Sequence, residues 1–346
     1  MNKKNFYIYY PLIFLIFLFF IDKIFSISFF KERFLQTGNA VYYKHRELLL
    51  EKLKKDTTNK NLILVFGDSR GYSYSDLAFE KNFVRKNSWK VYNFSAAQAV
   101  PAYSFYMFRK VIESKVKPKL VVFAVSPEGF DDSKRLIFKP FLRLGADREF
   151  ISKYWKFLPK EDRYEYFLDK IFVYRSLEFD YKLLLNRIQS KSLSQYDPKT
   201  NSEMMILNLY NGAQVAYTTF QNDDTKLKKD SLRMKNIYFS NFKIDSTQYF
   251  FIEEMLKLAK ENEVMVNILF PKVYPDYKKI YDEFDLKNTW WKKLEELSEN
   301  YQMKSFNLNE VSNCSLFYDA SHQSSICFNE QLNFLLDEYE KTHSKK

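Results

Sequence analysis

Ser69 stands in Gly67-Asp68-Ser69-Arg70, directly after an apolar run, and Asp319-Ala320-Ser321-His322 lies near the other end of the chain. A serine hydroxyl becomes a usable nucleophile when an imidazole takes its proton. The imidazole in turn needs a carboxylate on its other nitrogen. The chain contains 3 histidines: His45, His322 and His343. His343 sits in a charged tail and His45 in a charged stretch after the N-terminal apolar run. In any serine–histidine mechanism His322 is therefore the base almost by elimination, with Asp319 to orient it. The chemistry would be acyl transfer, to water or to another hydroxyl. A blander reading has Asp68 and Ser69 capping a helix, Asp319 in a turn and His322 on the surface. Glu128, Asp131 and Asp132 offer the carboxylates a glycoside hydrolase needs, but such acids equally suit a solvated loop. No Cys/His spacing for a metal and no cofactor motif is present.

To place Ser69 at an exposed turn, the residues before it must form a buried strand. Asn61-Leu62-Ile63-Leu64-Val65-Phe66 is a short apolar run ending at Gly67, which predicts one. Trp89 to Phe94 predicts a second strand, residues 100–114 a helix, and Lys119 to Val125 a third strand, continuously apolar as central parallel strands are. Phe250–Asn262 then reads as helix, Val264–Phe270 as strand, Trp290–Tyr301 as helix, Lys304–Leu308 as strand and Asn329–Lys341 as a closing helix. Alternating strands and helices predict an α/β fold with a doubly wound parallel sheet, covered on both faces. A ligand then belongs at the carboxyl edge, where Ser69 would sit and where N–H groups after it could face an oxyanion. The rhythm breaks between about residues 131 and 245, which we read as an insertion. Within it Glu161–Ile188 has an aromatic-rich helical pattern and Ser190–Asp230 is polar and loop-like.

Lys3 and Lys4 precede Phe6–Ile21, sixteen residues without a charge. That helix would reach about 24 Å, and continuing through Asp22 and Lys23 to Phe30 extends it to about 37 Å, enough to span a tilted path through the bilayer. An uncleaved transmembrane anchor over 1–30 is the expectation, with the remainder exported; Ser26-x-Ser28 leaves a cleaved signal peptide as the alternative. Residues 31–60 read as a charged, helix-prone connector, with helical character from Arg46 to Lys55, and 61–341 as the α/β domain. The protein would be single-pass in the inner (cytoplasmic) membrane, its domain facing the periplasm or cell exterior. Cys314 and Cys327, the only cysteines, bracket Asp319 and His322. In an oxidising compartment they could close a disulfide there, or they are two unrelated buried thiols.

The net charge of +11 is spread among interleaved acids, as in Glu51 to Asp56, and forms no basic stripe. With no nucleic-acid motif either, that pattern reads best as a solvated surface rather than a nucleic-acid-binding one, with attraction to an anionic membrane or envelope polymer as the alternative. The 35 Phe and 26 Tyr, beside abundant Lys, Asn and Ile, look like coding bias as much as selection for stacking.

Gly67-Asp68-Ser69 after the first strand, with Asp319-x-x-His322 before the last helix, resembles the first and last sequence blocks of the SGNH (GDSL) hydrolase superfamily over residues 61–341. With an N-terminal anchor the arrangement is similar to a membrane-anchored branch. That branch includes the D-alanine transfer protein of teichoic acid synthesis, the alginate O-acetyltransferase group and uncharacterised bacterial relatives. Pro271-Lys272-Val273-Tyr274-Pro275 is similar to a proline-bearing loop in those proteins. The resemblance implies a flavodoxin-like three-layer fold and a serine esterase or O-acyltransferase with no cofactor. Its substrate would be an envelope glycan, lipid or polymer, and a multispanning O-acyltransferase would be its partner. Asn93-Phe94-Ser95-Ala96-Ala97 occupies the second block, where Ser95 and Ala96 replace the usual glycine as N–H donors to an oxyanion. Ser126-Pro127-Glu128-Gly129 replaces the third block's Gly-x-Asn-Asp. Ser126 would be the donor there, and an ionised Glu128 would repel an oxyanion. Arg70 would draw in an anionic substrate or pair with Glu128. These altered blocks, with the aromatic insertion, also support a non-catalytic partner or scaffold of an envelope O-acylation complex.

Overall fold

The computed structural model describes residues 9–24, 27, 39–132, 146–158, 160–176, 185, 188–189, 198–215 and 219–343. Five parallel strands, β1 (Asn61–Gly67), β2 (Trp89–Asn93), β3 (Leu120–Ala124), β4 (Met265–Phe270) and β5 (Lys304–Asn307), lie in the order β2-β1-β3-β4-β5. This is the doubly wound order of flavodoxin-like sheets, in which the chain reverses direction across the sheet between β1 and β3. The expected α/β class holds, and each strand lies within a residue or two of its apolar run.

Period-two alternation divides the strands between two apolar layers. Leu64, Phe66, Val121, Phe123, Val266 and Ile268 face one layer; Ile63, Val65, Leu120, Val122 and Leu269 face the other. The first is covered by α3 (Pro101–Glu113) and α6 (Thr247–Glu261), the second by the C-terminal helix α9 (Ser325–His343) through Leu332, Leu335 and Leu336. Four further helices carry the argument below: α1 (Tyr10–Ile24), α2 (Asn39–Lys54), α4 (Lys160–Ile171) and α5 (Asp224–Tyr238), with α7 (Pro275–Glu283) and α8 (Lys292–Asn300) completing the later half.

α2 falls in the stretch expected to be a connector, and it packs on the core. Leu49, Leu50 and Leu53 are buried, as is Arg46, whose Nε donates to the Ser95 carbonyl at 2.8 Å and Nη1 to that of Gly212 at 2.8 Å. The His45 Nε2 lies 3.1 Å from Asn208 Oδ1, and burial among cations pushes its pKa down to about 3. This imidazole is neutral and structural.

The expectation of a loop over Ser190–Asp230 is corrected by a helix at Pro198–Leu209 and by the start of α5. Asp223 caps α5, accepting from the N–H groups of Thr225 (3.0 Å) and Lys226 (3.3 Å). The core-facing residues of α5 are only Leu227, Ser231 and Met234, too sparse among lysines and acids for their helical spacing to stand out. Part of the aromatic pattern over Glu161–Ile188 is α4; most of the rest, like all of 133–145, lies outside the described residues.

α1 has 15 residues, about 22 Å at 1.5 Å each. Among the described residues no helix is long and apolar enough to cross a membrane. The expected continuation to Phe30 lies largely outside the described residues.

Candidate active site

β1 ends on Gly67 at φ +131°, where an added Cβ would fall 2.0 Å from the Ala124 carbonyl oxygen. Only glycine lets the chain leave β1 so close to β3 and turn into the single 3₁₀ turn Ser69–Gly71. Asp68 caps that turn, its Oδ1 accepting from the Arg70 N–H at 2.8 Å, while its Oδ2 accepts from the Ser126 hydroxyl. The turn is held from below by Asn93. The buried Asn93 amide donates to the carbonyls of Gly71 (2.8 Å), Tyr72 (3.1 Å) and Tyr74 (3.0 Å), and its Oδ1 accepts from the Ser95 N–H (2.9 Å). A fully bonded buried amide of this kind fixes one geometry, because losing it strands several polar groups.

Ser69, His322 and Asp319 come together. Ser69 Oγ is 2.8 Å from His322 Nε2, and His322 Nδ1 is 2.9 Å from each oxygen of Asp319. All three side chains are half-buried. Burial pulls the His322 pKa down, but the charge and hydrogen bond of Asp319 outweigh it, so the imidazole is raised above its ordinary value. Burial likewise opposes ionisation of Asp319. The His322 ring, the N–H and hydroxyl of Ser321 and the N–H of His322 overturn that, holding Asp319 well below the carboxylate range. A neutral imidazole facing the serine, backed by an ionised carboxylate, is equipped to accept a proton from Ser69 and return it to a leaving group.

The loop carrying Asp319 and His322 is tied on three sides. Cys314 and Cys327 are joined in a disulfide, which realises the first of the two cysteine readings. The Tyr274 N–H donates to the Ala320 carbonyl at 3.0 Å. Asp230, on α5 within the insertion, accepts from the Ala320 N–H at 3.0 Å.

The remaining expected site residues are placed differently. The Ser95 N–H is engaged by Asn93, and the Ala96 N–H donates to the Gly67 carbonyl at 3.0 Å, so neither offers the free N–H expected of it. Arg70 and Gly71 likewise spend their N–H groups on Asp68. The Ser126 hydroxyl is committed to Asp68. Arg70 is buried and pairs bidentately with Glu128 at 2.8 and 2.6 Å, the second of its two expected roles. Tyr281 donates to Glu128 at 2.9 Å, and Tyr277 donates to the same oxygen. Burial alone would raise the Glu128 pKa; Arg70 above all and then Tyr277 reverse that and keep it ionised, its charge neutralised inside the protein. Asp131 accepts from the Lys243 N–H at 3.4 Å.

An open cleft lies over Ser69 and His322. Its walls include Gln98 and, from α5, Met234 and Tyr238. Sequence reading missed these three. Gln98 carries one local signal, a φ of +55° in a non-glycine residue, but that appears only in the folded backbone.

The chain belongs to a family described as "Protein of unknown function (DUF1574)", whose model matches residues 1–339. No curated protein matches it. Among solved structures it is similar to a crystal structure described as "a putative acylhydrolase" from Bacteroides fragilis NCTC 9343. The likeness has 12% identity and a TM-score of 0.39, over 89% of this chain and 99% of that one.

Proposed function

We propose that this protein is a membrane-anchored, exported SGNH-type serine esterase or O-acyltransferase acting on an envelope polysaccharide, lipid or polymer. One observation carries the reading: the unbroken hydrogen-bond chain from Ser69 through His322 to Asp319, at the carboxyl edge of the sheet. Ser69 Oγ would attack the acyl carbon as its proton passes to His322 Nε2. The imidazolium then protonates the departing alcohol oxygen, leaving the acyl group on Ser69. Water, or a hydroxyl of an acceptor, is deprotonated by His322 and takes the acyl group away, restoring the serine.

Anchoring is supported by α1, whose large apolar side chains are exposed from Tyr9 to Ile21 while Asp22 is tucked against the domain. Water is a poor solvent for such a helix, and hydrocarbon a good one.

A fluorophosphonate probe tests the reading. It should modify the purified full-length protein at Ser69, located by peptide mass spectrometry, and should leave Ser69→Ala unmodified. A well-folded sample that resists the probe while a control esterase reacts would sink the enzyme reading.

The second reading, a non-catalytic partner or scaffold of an envelope O-acylation complex, is favoured by the oxyanion side of the site. The N–H groups of Arg70, Gly71, Ser95 and Ala96 are all bonded within the protein. Losing one oxyanion donor costs about 3 kcal/mol of barrier in a hydrolase. A cellular phenotype that survives Ser69→Ala but not deletion of the insertion would decide for this second reading.

A further inference from the structure

We infer that α4, within the insertion, is a second membrane-contacting element that lies in the interface of an anionic bilayer beside the anchor. The inference rests on the membrane-anchored reading of α1.

The starting point is the only charged pair in α1. Asp22 is buried, and its Oδ2 accepts from the Val173 N–H at 2.9 Å and from Lys23 at 3.2 Å. Lys23 also donates to the Ile171 carbonyl. The charged end of the apolar helix is thus fastened to the C-terminal end of α4, at the level where α1 leaves hydrocarbon.

α4 presents an unusual outer face. Lys160, Arg163, Tyr164, Phe167, Lys170 and Ile171 share one arc of roughly 120° at 100° per residue. Tyr164 is 62% exposed and Phe167 58%, with Trp155 (38%) and Phe172 (43%) adjoining in sequence. Of the four acids in α4, Glu161, Asp162, Glu165 and Asp169, the last two pair with Arg175, which offsets one of their charges. Exposed aromatics interleaved with long cationic side chains suit a headgroup boundary. The rings sit at the acyl margin while lysine and arginine reach the lipid phosphates.

The segment leading into α4 packs on the α/β domain, and Tyr166 of α4 itself is buried in the same core. Tyr154 packs edge-on against Phe105 of α3 at 5.5 Å, and Phe157 stacks on Phe250 of α6 at 3.8 Å. A lipid contact at α4 would therefore set how the domain, and the cleft on it, stands over the membrane. It gives part of the insertion a role: a foot that orients the domain.

The test uses full-length protein in vesicles of phosphatidylcholine with phosphatidylglycerol. Phe167→Cys carries a bimane label; the native cysteines are already paired. Vesicle flotation reports anchoring, and brominated lipid reports contact at the label. Flotation with loss of bimane fluorescence in brominated vesicles, smaller when phosphatidylglycerol is omitted, is the expected result. Wild-type Trp155 gives the same readout without a label, since Trp89, Trp290 and Trp291 are buried and Trp155→Phe supplies the blank. Flotation with no quenching at either position overturns the proposal while leaving the anchor standing. Shielding from aqueous iodide without bromolipid quenching also overturns it, in favour of a second copy or another protein on this face. Failure to float removes the anchor and this inference together, but leaves the probe chemistry at Ser69 unaffected.

Discussion

Arg70 and Glu128 face each other in a buried bidentate ion pair, one on the Ser69 turn and the other on the loop after β3. Tyr277 and Tyr281 of α7 donate their hydroxyls to the same carboxylate. The pair therefore ties together three elements around the cleft. It also removes the charge that Glu128 would otherwise turn on a developing oxyanion. Breaking one side of a buried pair strands the other, at a cost of about 3–5 kcal/mol. Glu128→Ala should lower the denaturation midpoint accordingly, and Arg70→Met with Glu128→Leu should recover much of the loss. Chemical denaturation of the three proteins checks both.

Ser69→Ala should abolish probe labelling and reduce ester turnover by at least about 10³-fold, as loss of a serine nucleophile does elsewhere. Stability should change by no more than about 1 kcal/mol, because one hydrogen bond at a half-buried position is lost. Turnover of a nitrophenyl ester and a melting curve separate the two effects.

The pH profile follows from His322. The general base must be neutral, and Asp319 holds its pKa above the ordinary value despite burial. The acid limb of kcat/KM should therefore have its midpoint above about 6.5 and fall as pH drops through it. In Asp319→Asn the raising partner is gone and burial dominates. The limb should move to lower pH, while kcat falls by about 10⁴-fold as the imidazole loses its orienting carboxylate. A limb that stays in place in the variant would dissociate the two residues.

Asp230→Ala removes the insertion's hold on the Ala320 N–H. A cost of about 1 kcal/mol in stability is expected, with a larger proportional loss of kcat than of substrate affinity. Steady-state kinetics beside denaturation curves would show whether the loop is being positioned.

Cys314 and Cys327 are 13 residues apart in sequence. Cross-linking a loop of that size restricts the unfolded chain by about 3 kcal/mol in the chain-entropy account. The double Cys→Ala variant should lose about that much stability. It should also lose activity, because the loop carrying His322 is held less firmly. Intact mass before and after reduction and alkylation confirms the bond.

The strands were legible because buried parallel strands are continuously apolar, and Ile63–Phe66 or Leu120–Ala124 can be little else. Ser69 and His322 were legible because a strand-to-turn serine and a nearly solitary histidine leave few alternatives. α5 was not, since its inward face is three residues long and surrounded by charge. Nor was Asp230, Met234 or Tyr238, each brought to the site by folding of the insertion with no local pattern to mark it. The oxyanion expectation failed at Ser95 and Ala96 for a different reason. A sequence block shows which N–H groups are near a site, not whether Asn93 or Gly67 has already claimed them.

Ser69 and His322, the proposed nucleophile and base, are separated by 253 residues. A growing chain makes Ser69 well before the imidazole that faces it in the folded protein. On the proposed reading, a chain interrupted anywhere before His322 would hold the serine without the imidazole that takes its proton, so the order of synthesis itself would act as a safety catch.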